Sequence, residues 1–121
     1  MASGPDAQIE FTGGDGGTMG LGTITTTATI GVDDSGIFLL AASGGSTTSV
    51  PAPNFNGVVI VFASARAQTN VVSFTGATLR NGANATATTA TLANVVGAGI
   101  TVVGYNGLWY LMGSIGSVSY G

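Results

Sequence analysis

Apolar and polar positions alternate in short runs along most of this chain, and Gly, Asn, Asp and Ser separate the runs. The clearest pattern lies at residues 99–113, GITVVGYNGLWYLMG. Ile100, Thr101, Val102 and Val103 are β-branched and predict a strand. Asn106-Gly107 supplies two residues that tolerate positive φ, as a tight hairpin turn requires. Residues 108–112 return as an aromatic-rich strand carrying Trp109, the expected core or interface anchor, with Tyr110 on its opposite face.

The same logic applies upstream. Residues 23–30 (TITTTATI) alternate, with Ile24, Thr26, Ala28 and Ile30 on one face of a strand. Residues 31–36 (GVDDSG) make a turn, because Asp and Ser satisfy local backbone donors. Residues 37–42 (IFLLAA) are continuously apolar and predict a strand buried on both faces. A Gly/Ser/Thr loop at 43–49 and an extended Val50-Pro51-Ala52-Pro53 lead into the apolar run 58–62. Residues 71–75 (VVSFT) form another strand, and Leu79-Arg80-Asn81-Gly82 a strand end and turn. The Ala/Thr alternation at 83–92 is taken as a β edge, and 115–120 as a last short strand.

One motif occurs twice. Phe55-Asn56-Gly57 before 58–62 echoes Tyr105-Asn106-Gly107 before 108–112. Two copies predict similar positions in a sandwich or barrel; a solenoid needs more repeats. No amphipathic helix of ten residues is evident. The pattern therefore predicts an all-β fold, a small antiparallel β-sandwich or barrel over residues 23–121. Residues 1–22 are set apart as an extended, flexible N-terminal arm. They hold one extended island, Gln8-Ile9-Glu10-Phe11-Thr12, followed by GGDGG at 13–17, which is entropically costly to fix. The segment is either an unstructured tail or an arm whose Ile9, Glu10 and Phe11 dock on another chain.

Charge changes the picture most. Of 121 residues 6% are charged, against about 25% in an ordinary soluble domain. There is no Lys; the five acids (Asp6, Glu10, Asp15, Asp33, Asp34) precede residue 35, and the two cations are Arg66 and Arg80. With a mean hydropathy of +0.50, so little charge implies that much of the outside is covered by copies of the chain or by a partner. Arg66 and Arg80 are candidate intersubunit or partner contacts, or ordinary solvated strand-end residues. Nucleic acid is not an expected partner, since binding phosphates takes several Lys or Arg. A membrane is not expected either, because the longest apolar run, 58–63, falls far short of about 20 residues. The start, MASGPDAQ, has no basic region followed by an apolar one and is not expected to be a signal peptide.

Candidate chemistry is sparse. The chain has no Cys, His or Lys, so a Ser or Thr nucleophile lacks its usual base. Asp33-Asp34 diverge in a turn, which does not suit paired-carboxylate catalysis. Asp33-Asp34-Ser35 lacks the alternating ligands and closing Glu of a calcium loop. The glycines at 13–17 lack the Gly-Lys-Ser/Thr of a phosphate loop. Asn84-Ala85-Thr86 matches a glycosylation sequon, which matters only in a secretory context. No catalytic residue, cofactor, metal or small-molecule substrate is expected. Tyr105, Tyr110 and Tyr120 are candidates for stacking on carbohydrate, with core or interface packing as the alternative.

Residues 47–112 resemble a small β module found in tailed-phage virion proteins. The resemblance rests on the Val-Pro element at Val50-Pro51, the Gly57 that opens an apolar strand, the strand at Ile100, and Gly107-Leu108-Trp109. The modules often place Asn, Lys or Ser in exposed strands where this chain has Ala and Thr. Such modules are usually homotrimers and serve as capsid decoration (cement) proteins or at tail-fibre tips. The resemblance thus implies a structural virion protein on the outer capsid surface, contacting the major capsid protein and stabilising the shell. A start at Met, about one module of chain and no long shaft incline the expectation to decoration. The alternative is a tail-fibre tip module recognising a bacterial surface glycan or protein.

Overall fold

The computed structural model describes residues 12–13, 20–82 and 86–121. Twelve strands run in chain order: β1 (Thr12–Gly13), β2 (Gly20–Ile24), β3 (Ala28–Thr29), β4 (Gly36–Leu40), β5 (Thr47–Val50), β6 (Val59–Ser64), β7 (Asn70–Phe74), β8 (Leu79–Arg80), β9 (Thr89–Leu92), β10 (Gly99–Tyr105), β11 (Leu108–Ile115) and β12 (Val118–Tyr120). There is no helix among the described residues, so the all-β expectation holds.

The strands form two sheets. The larger has the order β1-β2-β4-β6-β10-β11-β8, the smaller β12-β9-β7-β5-β3. Both are mixed and not antiparallel throughout. From β2 to β7 the chain alternates between the sheets, so that β2, β4 and β6 run parallel, as do β3, β5 and β7. A parallel neighbour needs a crossover, usually a helix. Here the crossover is a strand of the opposite sheet, which is why no helix is required. The chain then reverses, with β9 antiparallel to β7 and β10 antiparallel to β6. The predicted hairpin is β10–β11, with Asn106 at φ 54° and Gly107 at φ 79° in the turn.

This winding explains several local departures from the sequence pattern. The run at 23–30 is one alternating stretch, but it breaks at residues 25–27 to cross between sheets, keeping Ile24, Ala28 and Ile30 buried. Residues 47–49 of the expected loop belong to β5, and Ile115 ends β11, not the last strand. The Ala/Thr strand is internal, because β9 lies between β7 and β12.

The core lies between the sheets. Trp109, Phe38, Phe62, Ile24, Leu40, Ile60, Leu79 and Leu92 are its largest fully buried side chains. Phe38 and Phe62, register partners on β4 and β6, stack with ring centroids 5.8 Å apart. Trp109 is 0% exposed, and its indole N–H donates to the Pro51 carbonyl at 2.8 Å, satisfying the one polar atom this side chain carries inside.

Candidate functional site

Side chains alternate across each strand, so each sheet also presents an outer face. The two outer faces differ in chemistry. On the smaller sheet, register aligns Thr29, Ser49, Ser73 and Thr89 in one row and Thr47, Val71, Thr91 and Ser119 in the next. Seven of these eight side chains carry a hydroxyl, which keeps hydrogen bonds with water.

On the larger sheet the corresponding rows are mostly apolar. One row reads Leu21, Ile37, Val61, Thr101 and Gly113; the next reads Thr23, Leu39, Ala63, Gly99 and Ile115; a third reads Val59, Val103, Tyr110 and Arg80. Ile37, Leu39, Val59, Val61 and Val103 are half-buried, while Ile115 is 71% exposed. Arg80, at the end of the third row, is the one charge in these three rows. Residues 37–42 are therefore not buried on both faces. Phe38, Leu40 and Ala42 enter the core, and Ile37, Leu39 and Ala41 lie on this outer side, half-buried. Continuous apolarity in 37–42 and 58–62 was the signal for this surface, since a half-solvated strand alternates.

Relief on this face is uneven. A hollow of about 240 Å³ lies over β6, β10 and β11, lined by Val61, Ala63, Gly99, Thr101, Gly113 and Ile115 among others. Its floor is low because Gly99 is forced to be glycine, a Cβ there striking the carbonyl oxygen of Phe62. A register shift between Thr101 and Val102 accommodates an extra residue on β11, where Met112 is 67% exposed. Beyond Tyr110, no described strand flanks β11 on the side away from β10.

The two aromatic-Asn-Gly copies meet at one tip of the molecule. Gly57 N–H donates to the Gly104 carbonyl and Gly104 N–H to the Val58 carbonyl, both at 2.8 Å. The exposed Phe55 and Tyr105 stand at this tip, and the Tyr105 ring packs edge-on against Tyr110 at 6.2 Å. Asn54 donates its amide to Asp33 there, and the Ser35 hydroxyl accepts from Val59 N–H at 2.9 Å. The duplicated motif thus occupies similar positions, leading into β6 and β11 on either side of β10.

The sequence-derived site residues do not converge. Ile9, Glu10 and Phe11, the expected arm contacts, lie outside the described residues, as does Asn84 of the sequon. Arg66 follows the C-terminal end of β6, where its Nε donates to the Ala41 carbonyl at 2.9 Å. Arg80 sits on β8 beside Tyr110, near the opposite end of the sheet. Trp109 belongs to the core and Tyr110 to the outer face, as alternation along β11 requires. Tyr120 pairs with Ala90 and packs against the core, away from Tyr105 and Tyr110. Among the described residues no group of three or more Asp, Glu, His or Cys side chains is placed to hold a metal ion. No described helix is long and apolar enough to cross a membrane. Compared with known proteins, the chain matches no family model and no curated sequence.

Proposed function

We propose that this chain is a structural, non-catalytic assembly protein, a decoration protein that binds the outer surface of a tailed-phage capsid as a homotrimer. The observation that carries the assembly role is the apolar outer face of the larger sheet, spanning β2, β4, β6, β10 and β11. Covering such a face removes apolar surface from water, worth roughly 25 cal/mol per Å². The resemblance to virion β modules supplies the capsid as the setting. A protein that binds only the assembled shell stabilises it by mass action, by about 2.7 kcal/mol when present at a hundredfold its Kd.

The test is the copy number of the protein in purified particles of the phage that encodes it, measured by quantitative mass spectrometry against the major capsid protein. A copy number comparable to the capsid subunit is expected. Absence from the particle overturns the proposal. A copy number of a few per particle moves the protein to the tail.

That second reading is a receptor-binding tip, and the aromatic-Asn-Gly tip favours it. Phe55 and Tyr105 are 61% and 57% exposed, and Asn54, Asn56 and Asn106 are their neighbours in sequence. Flat rings beside amides suit a sugar, which offers a C–H face and hydroxyls. Binding of the isolated protein to host cells, lost in Tyr105→Ala, is the result that would support it.

A further inference from the structure

Three asparagines precede glycine in this chain, at Asn56-Gly57, Asn81-Gly82 and Asn106-Gly107. Such a pair can lose ammonia without an enzyme, because the glycine nitrogen, with no Cβ beside it, can close on the asparagine side-chain amide. Asn54, Asn70, Asn84 and Asn94 precede Phe55, Val71, Ala85 and Val95, whose side chains crowd that nitrogen. Ring closure also needs an unoccupied nitrogen and a suitable backbone. Asn81-Gly82 adjoins residues 83–85, which lie outside the described ones, so the contrast is between the other two pairs.

At Asn56-Gly57 both reacting groups are occupied. The Gly57 N–H donates to the Gly104 carbonyl at 2.8 Å, and the Asn56 Oδ1 accepts from the Asn106 N–H at 2.8 Å. At Asn106-Gly107 both are open. The two residues are exposed, and a Cβ built at Gly107 meets no heavy atom within 4 Å beyond its chain neighbours. Among the described residues, the Asn106 side-chain amide, the Asn106 carbonyl and the Gly107 N–H make no hydrogen bond. Positive φ at both residues, 54° and 79°, makes this a type I′ turn. A five-membered ring needs the Asn Cβ and the Gly nitrogen on the same side of the Cα–C bond. For an L residue that is a ψ of about −120°, the value at the first centre of a type II′ turn. Rotating the single peptide unit between the two central residues converts one turn type into the other. Here that unit is the Asn106–Gly107 peptide, and its rotation breaks no hydrogen bond.

We infer that Asn106 is a self-modification site, deamidated in the folded protein through a cyclic imide with Gly107. The Gly107 nitrogen gives up its proton and bonds to the Asn106 Cγ. The Cγ–Nδ2 bond breaks, and ammonia leaves with that proton. Water then opens the ring at either carbonyl, giving aspartate or isoaspartate. Either product puts a carboxylate next to Tyr105 where a neutral amide stood, and leaves the chain one unit more negative than its formal −3. Isoaspartate also adds a methylene to the backbone of a two-residue turn, against the Tyr105–Leu108 register. The aromatic tip thus acidifies with the age of the protein, and this holds whatever the assembly role.

The test is to incubate the full chain in mildly alkaline buffer, folded and in denaturant, and to follow each asparagine by peptide mass spectrometry. In the folded protein, conversion at Asn106 is expected to be about tenfold faster than at Asn56, the factor that two net hydrogen bonds withhold at Asn56. In denaturant the two rates are expected to converge, since both sites are then free Asn-Gly peptides. Asn106→Gly keeps the turn and is expected to remove the fast phase of ammonia release. Equal or faster conversion of Asn56 in the folded protein overturns the inference. So does an Asn106 that reacts only in denaturant, or a fast ammonia phase that survives Asn106→Gly.

Discussion

The backbone N–H of Asn106 donates to the Oδ1 of Asn56 at 2.8 Å, joining two copies of one tripeptide that lie 50 residues apart. Each Asn-Gly would be explained by turn chemistry alone, but this bond also fixes where β6 and β11 start relative to each other. Asn56→Ala is therefore expected to lower stability by about 0.5–1.5 kcal/mol in a denaturant titration, the range for one net hydrogen bond. Asn106→Gly is expected to be near neutral, since φ 54° suits glycine, while Asn106→Val is expected to be destabilising by about 1–2 kcal/mol.

The indole of Trp109 offers a second measurement, because it is the only Trp in the chain and is fully buried. Its native emission is expected to be that of an apolar site and to shift to longer wavelength on unfolding. Trp109→Phe keeps a ring but orphans the Pro51 carbonyl and leaves a void, with an expected loss of about 1–3 kcal/mol by denaturant titration. The connection between β5 and β6, where Pro51 and Pro53 lie, is expected to gain hydrogen-exchange susceptibility in the same variant.

These two residues also mark what was legible in the sequence. The β10–β11 hairpin, the burial of Trp109 and the all-β class follow from local signals: Asn-Gly, β-branched runs and period-two alternation. Strand direction does not. Parallel pairing of β2, β4 and β6 depends on which sheet the intervening strand joins, and Thr25-Thr26-Thr27 gives no local sign that the chain changes sheets there. The candidate surface was half legible. Low charge raises the expectation of a covered face, and the unbroken apolar runs 37–42 and 58–62 supply the apolar outer face of the larger sheet. Residues 37–42 read as doubly buried from sequence because an apolar side chain has the same local signature whether its own chain or another covers it. The hollow at Gly113 is visible only once register places Thr101, Val61 and Ala63 beside it.

A buried hydroxyl without a partner gives the third prediction. Thr48 is 0% exposed, between Ala28 and Val72 on the inner face of the smaller sheet, and its Oγ1 has no hydrogen-bond partner. Burying such a group costs about 1–3 kcal/mol. Thr48→Val replaces the hydroxyl by a methyl of similar size in a strand that favours β-branching. A higher midpoint of thermal unfolding is expected; a lower one would mean that the hydroxyl is paired in solution.

Asn70 gives the opposite case, a buried polar group whose bonds are all made. It is 1% exposed at the start of β7, and its Nδ2 donates to the Ser64 hydroxyl at 3.1 Å and to the Gln68 carbonyl at 3.2 Å. Its Oδ1 accepts from the Ser46 N–H at 3.1 Å. One side chain thereby joins the end of β6 in the larger sheet to the turns that enter β5 and β7 in the smaller, at the corner where the chain changes sheets. Asn70→Ala leaves the Ser46 N–H and the Ser64 hydroxyl unpaired, and the expected cost is about 2–4 kcal/mol, a sum over two orphaned groups. Ser64→Ala alone is expected to cost less, about 1 kcal/mol, since the Asn70 amide keeps the Gln68 carbonyl. The double variant is expected to cost less than the two singles added, because the Asn70–Ser64 bond is then counted once. Strict additivity in denaturant titrations would show that the two residues act independently and that the corner is held by its backbone bonds alone.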